Sequence, residues 1–303
     1  DRAARDAARR RLNRGPVPTG ARAGPEDRWP RRPPLRVALF TLESALSAEA
    51  VADFLRGRRR GGAEVVLVGR SVPVRPGTGG TAAQALRHLR RSGPRLLPFL
   101  AVNYVLPRWT GRAGRGGLAD VAAACGIPVL EVRDVNGSET AAAIRSAAPD
   151  LLVSFHFDQI FAPETLALAP RGGINVHPSL LPRHRGPVPT IWALAEERPA
   201  FGVTVHRLAP RIDAGPILAQ SGVALPEGTT ASAAARRLHA EGAALLGRVL
   251  DAMAEGREDP PREAAPLPYC PFPSRGMLRG LARRGRRTVD LADLRAALRV
   301  RVG

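Results

Sequence analysis

Two neighbouring segments supply an amide, an imidazole and a carboxylate, the side chains in this chain best suited to chemistry. Asn175 and His177 belong to the segment NVHPSLLP, residues 175–182, which follows the apolar residue Ile174. Side chains two positions apart in a β-strand point to the same face. Pro178 imposes extended geometry on His177 and ends ladder pairing. We therefore expect both side chains at the carboxyl end of a strand, where α/β proteins bind their ligands.

The carboxylate is Asp213, on a loop that ends in Gly215-Pro216. An amide can donate to an oxyanion, an imidazole can move a proton, and a carboxylate can hold the imidazole and compensate its charge. This set is suited to acyl transfer, and none of its members is an obvious nucleophile.

The other five histidines are assigned lesser roles. His88 and His239 lie in Arg- and Ala-rich helical patterns and are predicted to be solvated. His206 lies in an alternating strand and His184 in a basic loop, whereas His156 precedes a loop that it would only line.

A metal site is the alternative for the same residues. His177, His206 and Asp213 would be its ligands, but the chain carries none of the standard His-spaced zinc signatures. No metal ligand is therefore assigned.

Length and cysteine content suit a reducing cytoplasm, where we expect the protein. The 303 residues are enough for one large α/β domain with an appendage or for two small domains. Cys125 and Cys270 follow no ligand spacing. No signal-peptide pattern is visible, and the sequence begins at Asp1.

The most apolar stretch, residues 95–106, is shorter than the ~18 residues of a membrane span. It is predicted to be a core or lid helix, with a lipid-facing or acyl-binding surface as the alternative.

The formal net charge of +19 would ordinarily suggest nucleic acid. All 46 basic residues are arginine, however, and together with the excess of Ala, Gly and Pro this indicates a GC-rich coding bias. Aromatic residues make up only 4% of the chain, which is few for a nucleic-acid surface. A direct nucleic-acid function is therefore the disfavoured reading, and an Arg-rich nucleic-acid-binding protein stays as an alternative.

Short apolar runs alternate with helical patterns from residue 36 onward, which predicts a doubly wound, mostly parallel α/β sheet. Residues 1–35 carry ten arginines against four acids and no apolar period, so they are predicted to be a disordered basic arm. Residues 36–220 would form the catalytic domain. Residues 221–303 would add a small appendage, namely an amphipathic helix over 229–255, a Pro-rich extended stretch over 257–275 and a short helix capped by Asp290.

Residues 175–182 and 202–218 resemble the signature of the 10-formyltetrahydrofolate-dependent formyltransferases, which include glycinamide ribonucleotide, methionyl-tRNA and sugar-nucleotide enzymes. Asn175, His177 and Asp213 match the Asn, His and Asp of that signature one for one. The likeness is specific over about residues 150–220 and weaker back to residue 36. It implies a Rossmann-like catalytic domain and 10-formyltetrahydrofolate as cosubstrate. In it, Asn175 would stabilise an oxyanion, His177 would move a proton or carry charge, and Asp213 would hold His177.

The resemblance also implies where the folate would bind. One wall would come from the loop after a predicted strand, and the other from the loop that leads to Asp213. The residues assigned to this pocket are Phe157, Asp158, Gln159, Ile160 and Phe161, followed by Leu208, Ala209, Pro210 and Arg211. The alternative for Phe157, Ile160 and Phe161 is an ordinary place in the core.

Departures from the family bear on the acceptor. After the first strand, residues 41–46 read TLESAL, which is neither a Gly-Ser-rich phosphate loop nor the Gly-Thr-Pro turn of the tRNA enzymes. The expected partner is therefore a small-molecule amine: an amino-sugar nucleotide, an amino acid or a natural-product amine. His184 and Arg185 would hold its phosphate or carboxylate, or would belong to a solvated loop. A formyltetrahydrofolate deformylase is the alternative activity, and the oligomeric state, including a homodimer, stays open.

Overall fold

A computed structural model of the chain describes residues 33–58, 62–72, 80–111 and 117–300. Almost all of the predicted basic arm, and most of a Pro- and Gly-rich loop between residues 71 and 81, lie outside the described residues. Among those that are described, Leu35 is the first residue of regular structure.

Seven strands form one sheet in the order β3-β2-β1-β4-β5-β6-β7. The first five strands pair in parallel, and β6 and β7 are antiparallel additions at one edge. The strands are β1 Leu35–Thr41, β2 Ala63–Ser71, β3 Val129–Val132, β4 Leu151–Phe155, β5 Gly173–His177, β6 Gly202–Arg207 and β7 Ile217–Gly222. The predicted mostly parallel α/β sheet is confirmed.

Helices connect the strands and follow the last of them. They are α1 Ala48–Gly57, α2 Gly80–Ser92, α3 Leu97–Leu100, α4 Leu106–Gly111, α5 Leu118–Ala124, α6 Ser138–Ala147, α7 Pro163–Leu166, α8 Pro189–Ala195, α9 Ala231–Glu255, α10 Arg275–Arg283 and α11 Leu291–Arg299. A 3₁₀ turn at Pro94–Leu96 and a π turn at Ala101–Val105 join α3 to its neighbours in one continuous helical segment.

Period-two alternation divides the core between the two faces of the sheet. In β1, Val37 and Leu39 pack with α1, α5 and α9 on one face, whereas Ala38 and Phe40 pack with α6 on the other. Because both faces are covered, the strands read as near-continuous apolar runs. This covering of both faces confirms the doubly wound prediction.

Helix α9 lies directly on the sheet. Thr230 caps it by accepting from the backbone N–H of Ala233, and Gly256, in the left-handed region, ends it. A Cβ at Gly242 would lie 2.7 Å from Cγ1 of Val176 and 3.2 Å from Cγ2 of Val203. The close approach of helix and sheet therefore requires glycine at this position.

The C-terminal segment differs from its prediction in one helix. The Asp290 cap is confirmed, with Asp293 completing a capping box. The predicted extended stretch ends at Ser274, which caps α10, a helix that the Pro-rich reading of this region missed. Its apolar side is supplied by Leu278 and Leu281, too few apolar residues to stand out among the arginines. The division of the chain at residue 220 stays a prediction.

Residues 95–106 lie in the helical segment, with Leu96 and Phe99 buried and Leu97 and Val105 partly exposed. The predicted core helix is therefore confirmed for its buried face. Within the described ranges, no helix is long and apolar enough to cross a membrane.

The packing of α9 predicts opposite effects for two glycines of that helix. Gly242→Ala should lower the free energy of unfolding by about 1–2 kcal/mol, because the cost of overpacking against two stiff valines exceeds the gain in helix propensity. Gly247→Ala should raise it by about 0.5–1 kcal/mol, since the nearest atom to its Cβ is the flexible end of Arg58, at 3.4 Å. Urea unfolding measures both, and equal effects of the two substitutions would contradict the close approach at Gly242.

Candidate active site

A cavity of about 290 Å³ opens at the carboxyl ends of β4 and β5. Asn175, His177 and Asp213 all line it, so the structure brings the three predicted catalytic residues together. Asn175 and His177 point the same way from β5, as period two predicts, and Asp213 reaches them from the loop between β6 and β7.

The Asn175 amide is held by two neighbours. Its Nδ2 lies 3.1 Å from Nε2 of His206 and 3.4 Å from Oδ1 of Asp213. His206 is the register partner of Asn175 across the antiparallel β5–β6 pair, which fixes their approach. The contact with Asp213 is the longer of the two, so that amide hydrogen is the easier one to redirect toward a substrate oxygen.

His206 orients the amide because it is a neutral acceptor. Burial lowers the pKa of His206 to about 4, against the opposing charge of Asp213. Its Nδ1 lies 2.8 Å from the carbonyl of Arg207, which can only accept, so the hydrogen is on Nδ1. Its Nε2 lone pair therefore accepts from Asn175 Nδ2 and sets which way the amide faces.

The same reasoning assigns the hydrogen of His177. Its Nε2 lies 3.1 Å from the carbonyl of His184, so Nε2 carries the hydrogen in the neutral ring. Its Nδ1 then keeps a lone pair, and it lies 3.7 Å from Oδ1 of Asp213. This nitrogen is positioned to accept a proton next to a carboxylate that compensates the charge.

Asp213 is held in an uncommon conformation by its surroundings. Its φ of 48° is in the left-handed region, and its Oδ2 accepts the backbone N–H of Gly186 at 2.9 Å. Gly186 is itself in close contact with the C-terminal part of the chain, since a side chain at this position would collide with the carbonyl oxygen of Cys270.

Arg185 holds the loop that carries Asp213 by hydrogen bonds to its backbone. Its buried guanidinium donates to the carbonyls of Ile212 and Asp213, both at 3.0 Å from Nε, and to that of Leu267 at 2.8 Å. His184 is buried too, and its Nε2 lies 2.9 Å from Glu196. Both alternatives predicted for these residues, an anion-binding pair and a solvated loop, are therefore wrong, because both side chains are committed to internal contacts.

Residues of both predicted folate loops meet on one side of the cavity. We call this side the first wall, and its apolar residues are Phe157, Phe161 and Leu208. Phe157 and Phe161 pack against the buried ring of Phe40, with centroids 5.7 Å and 5.1 Å from it. The two alternatives predicted for these aromatics are therefore combined, since the rings belong to the core and also line the cavity.

The remaining residues of the predicted folate pocket divide into two groups. Asp158, Gln159, Ile160 and Ala209 line the cavity, together with Ile212 of the loop that leads to Asp213. Pro210 and Arg211 are exposed and lie outside the lining, because the loop turns them toward solvent. Their prediction as pocket residues finds no support in this geometry.

The loop after β4 is tied to the neighbouring strands by its polar side chains. Asp158 Oδ1 accepts from the hydroxyl of Ser71 at 2.5 Å. Gln159 Oε1 accepts the N–H of Val135 at 2.9 Å, and its Nε2 donates to Ser71 and to the carbonyl of Val132. These contacts hold the loop in a fixed shape beside the cavity.

The second wall of the cavity is formed by Leu46, Phe99, Tyr104, Val188 and Ala235. All five belong to, or pack against, one hydrophobic cluster separate from that of the first wall. Asn175, His177 and Asp213 line the same cavity as both walls.

His156, which was expected to line the loop after β4, and His239 also line this cavity. His156, with φ of 52°, and His239, on α9, contact each other with ring centroids 4.8 Å apart. His239 is buried, so the prediction that it is solvated is wrong. His88 is half-buried and contacts Phe272 edge to face, with centroids 4.4 Å apart, so its predicted solvation holds only in part. In the part of the chain that is described, no group of three or more His, Cys, Asp or Glu side chains is arranged to hold a metal ion.

Comparison with known proteins agrees with this geometry. A family model described as formyl transferase matches residues 98–250. The methionyl-tRNA formyltransferase of Anaeromyxobacter dehalogenans is 37% identical over 190 residues, which are 62% of this chain and 61% of that protein. The chain therefore spans less than two thirds of the length of this relative.

Solved structures show the same fold. Glycinamide ribonucleotide transformylase 1 from Symbiobacterium toebii is similar with a TM-score of 0.52 and 21% identity, over 77% of this chain and 95% of the other. A sugar 3N-formyltransferase, solved in the presence of dTDP and 5-N-formyltetrahydrofolate, gives 0.51 and 14%, over 78% and 69%.

At the carboxyl edge of the sheet, Asn175, His177 and Asp213 form the polar centre of a cavity between apolar walls. Because the family model covers half of the chain, the chain belongs to the formyl transferase family.

The buried histidines predict an acid-sensitive fold. Burial lowers the pKa of His156 and His206 to about 4, and lowers the pKa of His184 and His239 as well. Below pH ~6.5 these histidines are protonated in the unfolded chain, whereas in the folded protein they stay neutral. The free energy of unfolding should therefore be insensitive to these groups above that pH. It should fall between pH ~6.5 and ~4, by about 1.4 kcal/mol per pH unit for each of His156 and His206.

Urea unfolding at several pH values measures this slope. His156→Gln should reduce the slope by the share of one histidine, whereas the half-buried His88→Gln should change it less. A slope that stays the same in His156→Gln would show that this ring titrates normally in the folded state.

Proposed function

We propose that this protein transfers a formyl group from 10-formyltetrahydrofolate to a primary amine. The observation that carries the proposal is the convergence of Asn175, His177 and Asp213 in one cavity of a formyl transferase family member. The first wall suits a flat heterocycle, because its apolar side chains adjoin the polar residues Asp158 and Gln159, which also line the cavity. The family relative with formyltetrahydrofolate in its structure supports this choice of donor.

The reaction begins when the amine nitrogen attacks the formyl carbon. A C–N bond forms, and the electron pair of the carbonyl moves to its oxygen. The Nδ2–H of Asn175 that faces Asp213 at 3.4 Å is the donor available to this oxyanion, while His206 keeps the amide in orientation. Asn175 therefore stabilises the tetrahedral intermediate.

Proton movement falls to His177. Its Nδ1 lone pair takes the proton that the attacking amine releases, and the Asp213 carboxylate 3.7 Å away compensates the charge. The proton then passes to N10 of the folate as the bond between that nitrogen and the formyl carbon breaks. The products are a formamide and tetrahydrofolate, and no covalent enzyme intermediate is required.

We assign the acceptor as a small-molecule amine. The curated relative is named for methionyl-tRNA, so an aminoacyl-tRNA is the competing acceptor. After β1, backbone N–H groups that could cradle a phosphate are bonded internally. Leu42 N donates to the carbonyl of His156, Ala45 N to that of Asn103, and Leu46 N to the Ser44 hydroxyl. This arrangement argues against a phosphate held at the turn after β1.

The triad is tested by the loss of one group at a time. His177→Ala, Asp213→Asn and Asn175→Ala should each remain folded and reduce formyl transfer by ~100-fold or more, the scale of a lost proton carrier or oxyanion donor. The measurement is tetrahydrofolate release together with the formylated amine, with 2-phenylethylamine and methionyl-tRNA as separate acceptors. His88→Ala, a histidine that does not line the cavity, is the control and should leave the rate unchanged.

Three outcomes would contradict parts of this proposal. Near-normal turnover in folded His177→Ala would remove the assigned proton carrier. Release of formate at a rate independent of any amine would identify a deformylase. Turnover with methionyl-tRNA but not with 2-phenylethylamine would identify an aminoacyl-tRNA as the acceptor.

A further inference from the structure

One buried nitrogen in the cavity has a lone pair without a donor. His239 lines the cavity from α9, and its Nδ1 lies 2.7 Å from the carbonyl of Ala235, one turn earlier. Because that carbonyl can only accept, the hydrogen of the ring is on Nδ1 and Nε2 keeps its lone pair. No described residue donates to Nε2, although the atom is buried. A buried acceptor without a donor destabilises the protein, so a ligand N–H that bonds to this nitrogen would be favoured.

By contrast, the neighbouring His156 has a partner within the protein at each ring nitrogen. The Ser47 hydroxyl donates to the carbonyl of Leu42 and accepts from Nδ1 of His156 at 2.7 Å. The other nitrogen of His156 lies 3.4 Å from the Tyr104 hydroxyl, which can donate to it. Both nitrogens of His156 are therefore satisfied within the protein. Burial and the nearby His156 keep the pKa of His239 well below its usual value, so its ring stays neutral.

The surroundings of His239 indicate what kind of ligand it would meet. Ala235 of the second wall lies one helical turn from it, and the ring of Phe155 packs against it with centroids 5.7 Å apart. Among the described residues that line the cavity, none is an arginine, and the carboxylates of Asp158 and Asp213 are the acidic groups. This lining favours an amine or ammonium group and an apolar body, and it disfavours a phosphate or a carboxylate.

We propose that His239 is an acceptor-binding residue whose Nε2 accepts a hydrogen bond from the amine of an apolar acceptor that carries no phosphate or carboxylate. The body of this acceptor packs on the second wall, opposite the folate, and its nitrogen is thereby held beside His177. The inference rests on the proposed formyl transfer, and it narrows the acceptor to primary amines with an uncharged aliphatic or aromatic body.

A matched series of amines tests the inference by binding alone. Hexylamine, 6-aminohexanoate and 6-aminohexyl phosphate share one chain and differ in the far end. The whole protein is saturated with 5-formyltetrahydrofolate, which carries its formyl group on N5 instead of N10, and each amine is then titrated into it by calorimetry. The Kd for hexylamine should be at least ~10-fold lower than the Kd for 6-aminohexanoate or for 6-aminohexyl phosphate. Equal or tighter binding of the phosphate would overturn the proposed acceptor class, as would no binding of hexylamine.

Two substitutions separate the role of His239 from a general effect on the fold. His239→Leu removes the acceptor atom at similar volume and should raise the Kd of hexylamine ~10-fold or more, the effect of one hydrogen bond to a charged group. The Kd of 5-formyltetrahydrofolate should change less than twofold. His239→Gln, whose Oε1 can accept, should restore part of the amine affinity. A variant that weakens both ligands alike, or neither, would overturn the role of His239.

Turnover distinguishes this inference from the function on which it rests. Selective hexylamine binding that depends on His239, without amine-dependent release of tetrahydrofolate, would contradict formyl transfer and leave an amine-binding site. Formyl transfer that proceeds with an unchanged KM for the amine in His239→Leu would overturn the inference and leave the proposed function standing.

Discussion

The Asp213 carboxylate is the group around which the polar residues of the cavity are ordered. One oxygen is held by the N–H of Gly186, which leaves the other within 3.4–3.8 Å of Asn175, His177 and His206. A left-handed backbone at residue 213 makes this orientation possible, and the buried Arg185 holds it by binding the carbonyls of residues 212 and 213. If this loop relaxed, the orientation of the amide and the compensation of charge at His177 would be lost together.

The cavity combines this polar centre with two apolar walls that come from different hydrophobic clusters. Such a division suits a reaction with two substrates, because each can be desolvated against its own surface while the reacting atoms meet between them. Neutral histidines fit the same design. Burial suppresses the charge of His156, His206 and His239, so these rings donate and accept hydrogen bonds without placing cations beside an amine.

The parts of the structure that depend on local pattern were predictable from sequence. Apolar runs and period two predicted the strands, and the segment around His177 predicted that the side chains of Asn175 and His177 share one face. The roles of His206, Arg185 and His239 could not be predicted, because each depends on a contact between distant segments. His206 meets Asn175 only through the register of an antiparallel pair, and Arg185 reaches carbonyls of residues 212 and 267. Pro210 and Arg211 were assigned to the pocket because the whole loop was assigned to it. The sequence could not show that these two residues face solvent.

The most direct test of the account is a crystal structure of the protein with 5-formyltetrahydrofolate bound. The account predicts the pterin against Phe157, Phe161 and Leu208, with N10, the nitrogen that carries the formyl group in the donor, beside Asn175 and His177. A folate bound with N10 remote from Asn175, or with the pterin against the wall that includes Leu46 and Phe99, would contradict it.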